Sequence, residues 1–168
     1  HGLVHRVLLA AVGAATTSLR IATPYLLPDP ALVAAMSLAA MRGVDVEVVV
    51  PLRSDHRFVG WAMGAALDDL LAAGVRVHRR PAPFLHAKLL IVDGQWALIG
   101  SANLDARSFW LNYENCVGLA GRDGVQEVER AFEAELAISH RLEPRAFAAR
   151  GTVRRAWENF WALWQPML

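Results

Sequence analysis

At 168 residues, 55% apolar and 20% charged, the chain is long enough for one ordinary domain with a real core, and its composition excludes intrinsic disorder. A formal net charge of +1 argues against a protein that grips nucleic acid by bulk positive charge, so nucleic acid is not an expected partner. The single cysteine, Cys116, excludes an internal disulfide framework, and its place in the apolar run Cys116-Val117-Gly118-Leu119 reads as packing.

In chain order, Leu3 to about Thr16 reads as a helix, Leu19 to Thr23 as a short strand and Pro24 to Pro28 as a loop. Asp29 followed by Pro30 is a helix start, and Gly43 is its stop. The β-branched run Val44 to Val50 is of the kind found in buried strands. A polar loop, Arg53-Ser54-Asp55-His56, leads into a helix ending before Gly74, and Val75 to His78 follows as a strand. Leu85 to Val92 and Gln95 to Ile99 form two strands joined by Asp93-Gly94, a strong short-range hairpin signal. Asn115 to Leu119 is a further strand; Gly124 to about Arg141, and a last segment from Thr152, are helical. Strands alternating with helices, plus one tight hairpin, give an α/β fold: a mixed, largely parallel sheet with helices on both faces.

No segment reaches the roughly 18 to 20 apolar residues that a membrane-spanning helix needs. Val7 to Leu19 is too short and lacks a cleavage site, so it does not read as a signal peptide. The start at His1 rather than Met reads as a piece excised from a longer protein, whose remainder could hold membrane anchors.

The hairpin carries the chemistry. With Asp93 and Gly94 as a two-residue turn, Val92 pairs with Gln95, Lys88 faces Ile99 and His86 faces Ser101. Side chains alternate along a strand, so His86 and Lys88 share one face, and Ser101 and Asn103 join them at its open end. A three-residue loop would instead turn Ser101 and Asn103 to the other face. An imidazole can attack phosphorus or give a proton to a leaving oxygen. An ammonium and hydroxyl or amide donors can hold non-bridging oxygens as charge spreads over them. The six histidines and sixteen acids show no metal-ligand spacing, so neither metal nor cofactor is expected. Asp93 lies seven residues from His86, about 23 Å of extended strand, and is assigned to structure. Asn-Gly is itself a good turn, so replacing Asp93 by Asn reads as mild.

These residues resemble a known family. His86-Ala87-Lys88, Asp93 and Gly100-Ser101-x-Asn103 are similar to the His-x-Lys-x4-Asp-x6-Gly-Ser-x-Asn signature of the phospholipase D superfamily, without gaps. The flanks Thr23-Pro24-Tyr25, Asp105-x-Arg107-Ser108 and Leu111-Asn112-Tyr113-Glu114 resemble the C-terminal half of bacterial cardiolipin synthases. The resemblance implies one phospholipase D-like half-domain over residues 1–168, with His86 as the acid/base histidine. Lys88 and Asn103 would bind phosphate with Ser101 beside them, and Glu114 would match the acid that orients an imidazole. Asp93, Gly94 and Gly100 would be structural members of the motif.

The family's working site contains two such motifs, and this chain has one, so a second half or a homodimer is the implied partner. The implied activity is transfer of a phosphatidyl group between two phosphatidylglycerol molecules through a phosphohistidine, giving cardiolipin. It would take place at a membrane surface, on the cytoplasmic face of the bacterial inner membrane. A phospholipase D hydrolase or nuclease, and a non-catalytic pairing half, stand as alternatives. Trp157, Phe160, Trp161 and Trp164 form one helical stripe, open to packing against the domain or to interfacial membrane contact.

Overall fold

The computed structural model describes residues 2–167. Its centre is one mixed seven-stranded sheet in the order β6-β5-β4-β1-β2-β3-β7. The strands are β1 (Ser18–Ala22), β2 (Asp45–Pro51), β3 (Arg76–Arg80), β4 (Leu89–Val92), β5 (Trp96–Gly100), β6 (Cys116–Ala120) and the two-residue β7 (His140–Arg141). The helices are α1 (Leu3–Ala14), α2 (Pro30–Met41), α3 (Arg57–Ala72), α4 (Arg122–Ala137), α5 (Pro144–Ala148) and α6 (Thr152–Ala162).

Helices cover both sheet faces, as the alternating pattern implies. Val46, Val48 and Val50 of β2 point to one face, where Leu8 and Val12 of α1, Leu32 and Met36 of α2, and Leu67 and Leu70 of α3 bury them. Ala22, Val49, Ile91 and Ala97 point to the other face and meet Val125, Val128 and Phe132 of α4. Because β2 is covered on both sides it reads as a continuous apolar run. α2 begins where Asp29 and Pro30 dictate: the Asp29 carboxylate accepts from the Leu32 N–H at 2.9 Å, and Pro30 fills the first turn.

The parallel character is confined to β1-β2-β3; the other pairings, β1–β4, β4–β5, β5–β6 and β3–β7, are antiparallel. The tight turn makes this unavoidable for β4–β5 alone, since such a turn can only join antiparallel strands; the other antiparallel pairs are joined by longer connections. Two further details differ from the sequence reading. The helix expected to run to about Arg141 stops at Ala137, and His140 and Arg141 leave it to pair with the open edge of β3. That pairing satisfies backbone groups no local pattern reports. A separate π-helical turn, Arg107–Leu111, follows the motif.

The aromatic stripe divides. α6 lies on α3, and the Trp161 ring sits 4.3 Å from that of Phe58. Trp157, Phe160 and Trp164 remain nearly half exposed. Beneath α6, the buried Arg150 guanidinium holds Asp68 at 2.6 Å and Glu158 at 2.6 Å while lying 3.7 Å over the Phe147 ring.

Candidate active site

The hairpin turn forms where expected, but its register does not. Asp93 and Gly94 both take positive φ, 53° and 62°, and the Gln95 N–H donates to the Val92 carbonyl at 3.0 Å. The ladder then resumes at Trp96, which pairs with Val92, leaving Gln95 as an extra residue. Long-range bonds explain this: the Gln95 carbonyl accepts from Gly121 N–H at 2.8 Å, and Asp93 N–H donates to Ser18 at 3.0 Å. Leu89 therefore pairs with Ile99, and Lys88 lies opposite Gly100, whose N–H donates to its carbonyl at 3.2 Å. The expected pairing of Lys88 with Ile99 and of His86 with Ser101 is corrected by one residue. β4 also begins at Leu89 rather than Leu85, while β5 ends one residue later than expected, at Gly100, so His86, Lys88, Ser101 and Asn103 stand beyond the ladder.

The site residues meet by another route, which the topology supplies. β1 and β2 run the same way, β4 runs against β1, β5 against β4, and β6 against β5. The C-terminal ends of β1, β2 and β5 and the N-terminal ends of β4 and β6 thus share one edge of the sheet. Tyr25, Asp55 and His56, Ser101 and Asn103, His86 and Lys88, and Glu114 all follow or precede strands at that edge. Asp93 lies at the opposite edge, beside the start of β1.

At this edge the Lys88 ammonium donates to the His86 carbonyl at 2.9 Å. Burial pushes Lys88 below the ordinary lysine value, opposed by the carboxylates of Glu114, Asp105 and Asp55. The Ser101 hydroxyl donates to Glu114 Oε2 and accepts from the Asn115 N–H at 3.0 Å, while Asn112 donates to Glu114 Oε1 at 3.3 Å. The Glu114 carboxylate thus bonds Ser101 and Asn112, and among the described residues it makes no hydrogen bond to the His86 ring. That ring is exposed, with its nearest aromatic neighbour Phe84 at 6.3 Å between centroids.

Gly100 has a steric reason to be glycine. A Cβ there would collide with the Asn115 carbonyl and come within 2.7 Å of Cys116 Cα. Asn103 is fixed by the turn after it: its N–H donates to Ser108 Oγ at 3.0 Å, and Ser108 N–H donates to Asp105 at 2.7 Å. Asp105 is buried, and desolvation raises its pKa, opposed by its hydrogen bonds from Ser108 and Asn103. Asn103 Oδ1 is buried without a hydrogen-bond partner.

Three residues that the sequence reading left without a role also stand here. The Tyr25 hydroxyl donates to Asp55 at 2.9 Å, and burial together with that carboxylate pushes it up to about 12. The Tyr25 ring lies 6.0 Å from His56 and 6.4 Å from Phe84. Tyr25, His56, Asn103, Asp105, Arg107 and Asn112 border a cavity of about 410 Å³. The Asp-x-x-Ser spacing from Asp105 is a readable helix-start signal; the meeting of Tyr25 with Asp55 is not, because thirty residues separate them.

The mixed sheet brings His86, Lys88, Ser101, Asn103 and Glu114 to one of its ends. The fold superposes on Nuc from Salmonella typhimurium, a phospholipase D family member, with a TM-score of 0.75 over 84% of this chain and 92% of that one at 24% identity. It superposes on phosphatidylserine synthase from Haemophilus influenzae at 0.77 over 98% of this chain and 45% of that one at 15% identity. Residues 8–136 match the family described as cardiolipin synthase, PLD-like domain, and the chain belongs to that family. Cardiolipin synthase A of Edwardsiella ictaluri is 37% identical over 166 residues, 99% of this chain and 34% of that protein. The Escherichia coli O157:H7 cardiolipin synthase A is 36% identical over the same shares. The chain therefore spans about a third of the length of these relatives.

Proposed function

We propose that the chain is the acid/base half of a phosphatidyltransferase that joins two phosphatidylglycerol molecules into cardiolipin. The observation that carries this reading is the convergence, at one sheet edge, of Lys88, of the Ser101–Glu114–Asn112 chain, and of a cavity bordered by Asn103. A histidine from a second His-x-Lys motif attacks phosphorus, and the bond to the glycerol oxygen breaks as protonated His86 gives that oxygen a proton. The neutral His86 then takes the proton of the second lipid's hydroxyl, whose oxygen attacks the phosphohistidine and frees the nucleophile. Lys88 and the Asn103 amide N–H that is not bonded to Asp105 hold the non-bridging oxygens, with Ser101 beside them. Glu114 acts through Ser101 and Asn112.

The second motif comes from another segment of a longer protein or from a second copy. The reaction takes place at a membrane surface, on the cytoplasmic face of the bacterial inner membrane, with the half-exposed Trp157, Phe160 and Trp164 at headgroup level. No described helix is long and apolar enough to cross a membrane.

His86→Ala in an active two-motif assembly tests the assignment. Transfer of labelled phosphatidylglycerol into cardiolipin should fall at least about a thousandfold while the fold is kept. Near-normal product from a folded His86→Ala protein refutes it.

A further inference from the structure

We propose that the cavity bordered by His56, Asn103, Arg107 and Asn112 is the acceptor subsite, and that Arg107 selects an alcohol carrying its own phosphodiester. This deepens the transferase reading and rests on it for the identity of the reacting group. What it adds is the place where the second lipid's phosphoglycerol headgroup is held, and a reason why water competes poorly.

Three observations support it. The first is the charge on Arg107. Among the described residues its guanidinium has no carboxylate within 4 Å, whereas Arg20, Arg76, Arg80 and Arg150 are each paired with at least one. An unpaired planar fork on the wall of a cavity is suited to a phosphodiester, which it can hold through two parallel N–H bonds. The exposed His56 stands on the same cavity, 4.0 Å from an Asp55 carboxylate whose two oxygens also take the Tyr25 hydroxyl.

The second observation is the orphaned Asn103 Oδ1. Its amide nitrogen faces Asp105, so the oxygen is the free end, buried and with no donor. A ligand hydroxyl is a donor that can satisfy it. The third is size and lining. At about 410 Å³ the cavity has room for far more than a single water molecule. Phe58 and Met167 give it an apolar rim for glycerol carbons. A phosphate for Arg107, a hydroxyl for Asn103 and a three-carbon linker between them describe a phosphoglycerol headgroup. Asn112 ties this cavity to the motif, because it also holds Glu114 and through it Ser101.

The test uses the 168-residue chain and soluble probes followed by NMR: inorganic phosphate, glycerol, and glycerophosphoglycerol. Phosphate should perturb the Lys88 ammonium signal. Glycerophosphoglycerol should in addition perturb Arg107 Nε and His56, and bind more tightly than phosphate or glycerol. Arg107→Gln should weaken glycerophosphoglycerol binding about tenfold or more, leave phosphate binding at Lys88 within about twofold, and keep the melting temperature, because the side chain is exposed. Arg107→Lys should restore only part of the loss, since a point charge replaces the fork. The proposal is overturned if folded Arg107→Gln binds glycerophosphoglycerol as the parent does, or if that probe binds no better than phosphate. Failure of phosphate to perturb Lys88 strikes the transferase reading instead, and is separable because Arg107-dependent binding is read at different nuclei.

Discussion

Asp93→Asn separates the two ends of the motif. In sequence terms the change looks mild, because Asn-Gly makes the same turn as Asp-Gly. The structure gives the carboxylate a second task. It accepts from Thr16 N–H at 2.9 Å, Thr16 Oγ1 at 2.7 Å, Thr17 N–H at 2.8 Å, Thr17 Oγ1 at 2.9 Å and Ser18 N–H at 2.8 Å. These bonds hold Asp93 well below the usual carboxylate range against the opposing effect of burial. They tie the hairpin turn to the link between α1 and β1. In Asn one oxygen becomes an NH₂ group. Facing Thr16, it meets an N–H donor that cannot turn away, and the remaining bonds lose their charge assistance. Charge-assisted bonds contribute about 1.5–3 kcal/mol and neutral ones about 1, and solvent screens this partly exposed site, so the net loss should be about 2 kcal/mol. For a chain of this size that is a fall in melting temperature of about 4–8 °C.

Urea and thermal unfolding of the parent and Asp93→Asn chains measure this directly. The pH dependence supplies a second check. A carboxylate whose folded pKa is depressed contributes stability that is fully present above its unfolded pKa, near 4. That contribution is lost as pH falls through the lower folded value. The parent should therefore lose its advantage over Asp93→Asn progressively below about pH 4. Equal melting temperatures at pH 7, with activity of a two-motif assembly down a thousandfold, would place Asp93 in the chemistry and refute the reasoning.

Gly100→Ala should cost about 1–3 kcal/mol in urea unfolding, because the Asn115 backbone must move to admit the Cβ, and it should weaken phosphate binding by displacing Glu114. Arg150→Ala should cost about 3–5 kcal/mol, since it leaves Glu158, 3% exposed, without its 2.6 Å partner; a loss under about 1 kcal/mol refutes this. Lys88→Met should hold or raise the melting temperature at pH 7, because burial disfavours the ammonium and a lowered folded pKa makes its charge a cost at that pH. The same change should weaken phosphate binding about tenfold or more, as followed by titration calorimetry.

What the sequence tells about this fold is set by how local the deciding forces are. Asp29-Pro30 starts α2 through a cap three residues long, and Asp93-Gly94 turns the chain through two positive φ angles. The run in β2 announces its burial because both of its faces are covered. The hairpin register is decided elsewhere. Gly121 claims the Gln95 carbonyl and Ser18 claims the Asp93 N–H, so one residue is extruded that no turn rule foresees. His140 and Arg141 leave a helical pattern for the same kind of reason, an unpaired edge on β3. In the site, Lys88 and Ser101 were legible by type and spacing, and Glu114 only through the family resemblance. Tyr25 and Asp55 were not, and His56 was legible only as a loop histidine that could reach the site, because only the parallel pairing of β1 and β2 carries their loops to the same edge.

That topology also explains why one contiguous motif contains residues with opposite duties. The stretch from His86 to Asn103 is a hairpin that crosses the sheet and returns, so its two ends and its middle lie at opposite edges. The ends carry groups that need a partly desolvated, polar surrounding: the Lys88 ammonium beside three carboxylates, and the Asn103 amide with one atom unsatisfied. The middle carries a carboxylate saturated by five donors, which has no bonding capacity left to offer a substrate. Saturation and orphanhood thus sort the motif without reference to any relative. Asp93 is fully spent on fold, and Asn103 Oδ1 is held in place and unspent. Along this hairpin, burial not repaid by a hydrogen bond falls at the edge where β4 begins and β5 ends, the edge that the proposed transfer assigns to phosphate.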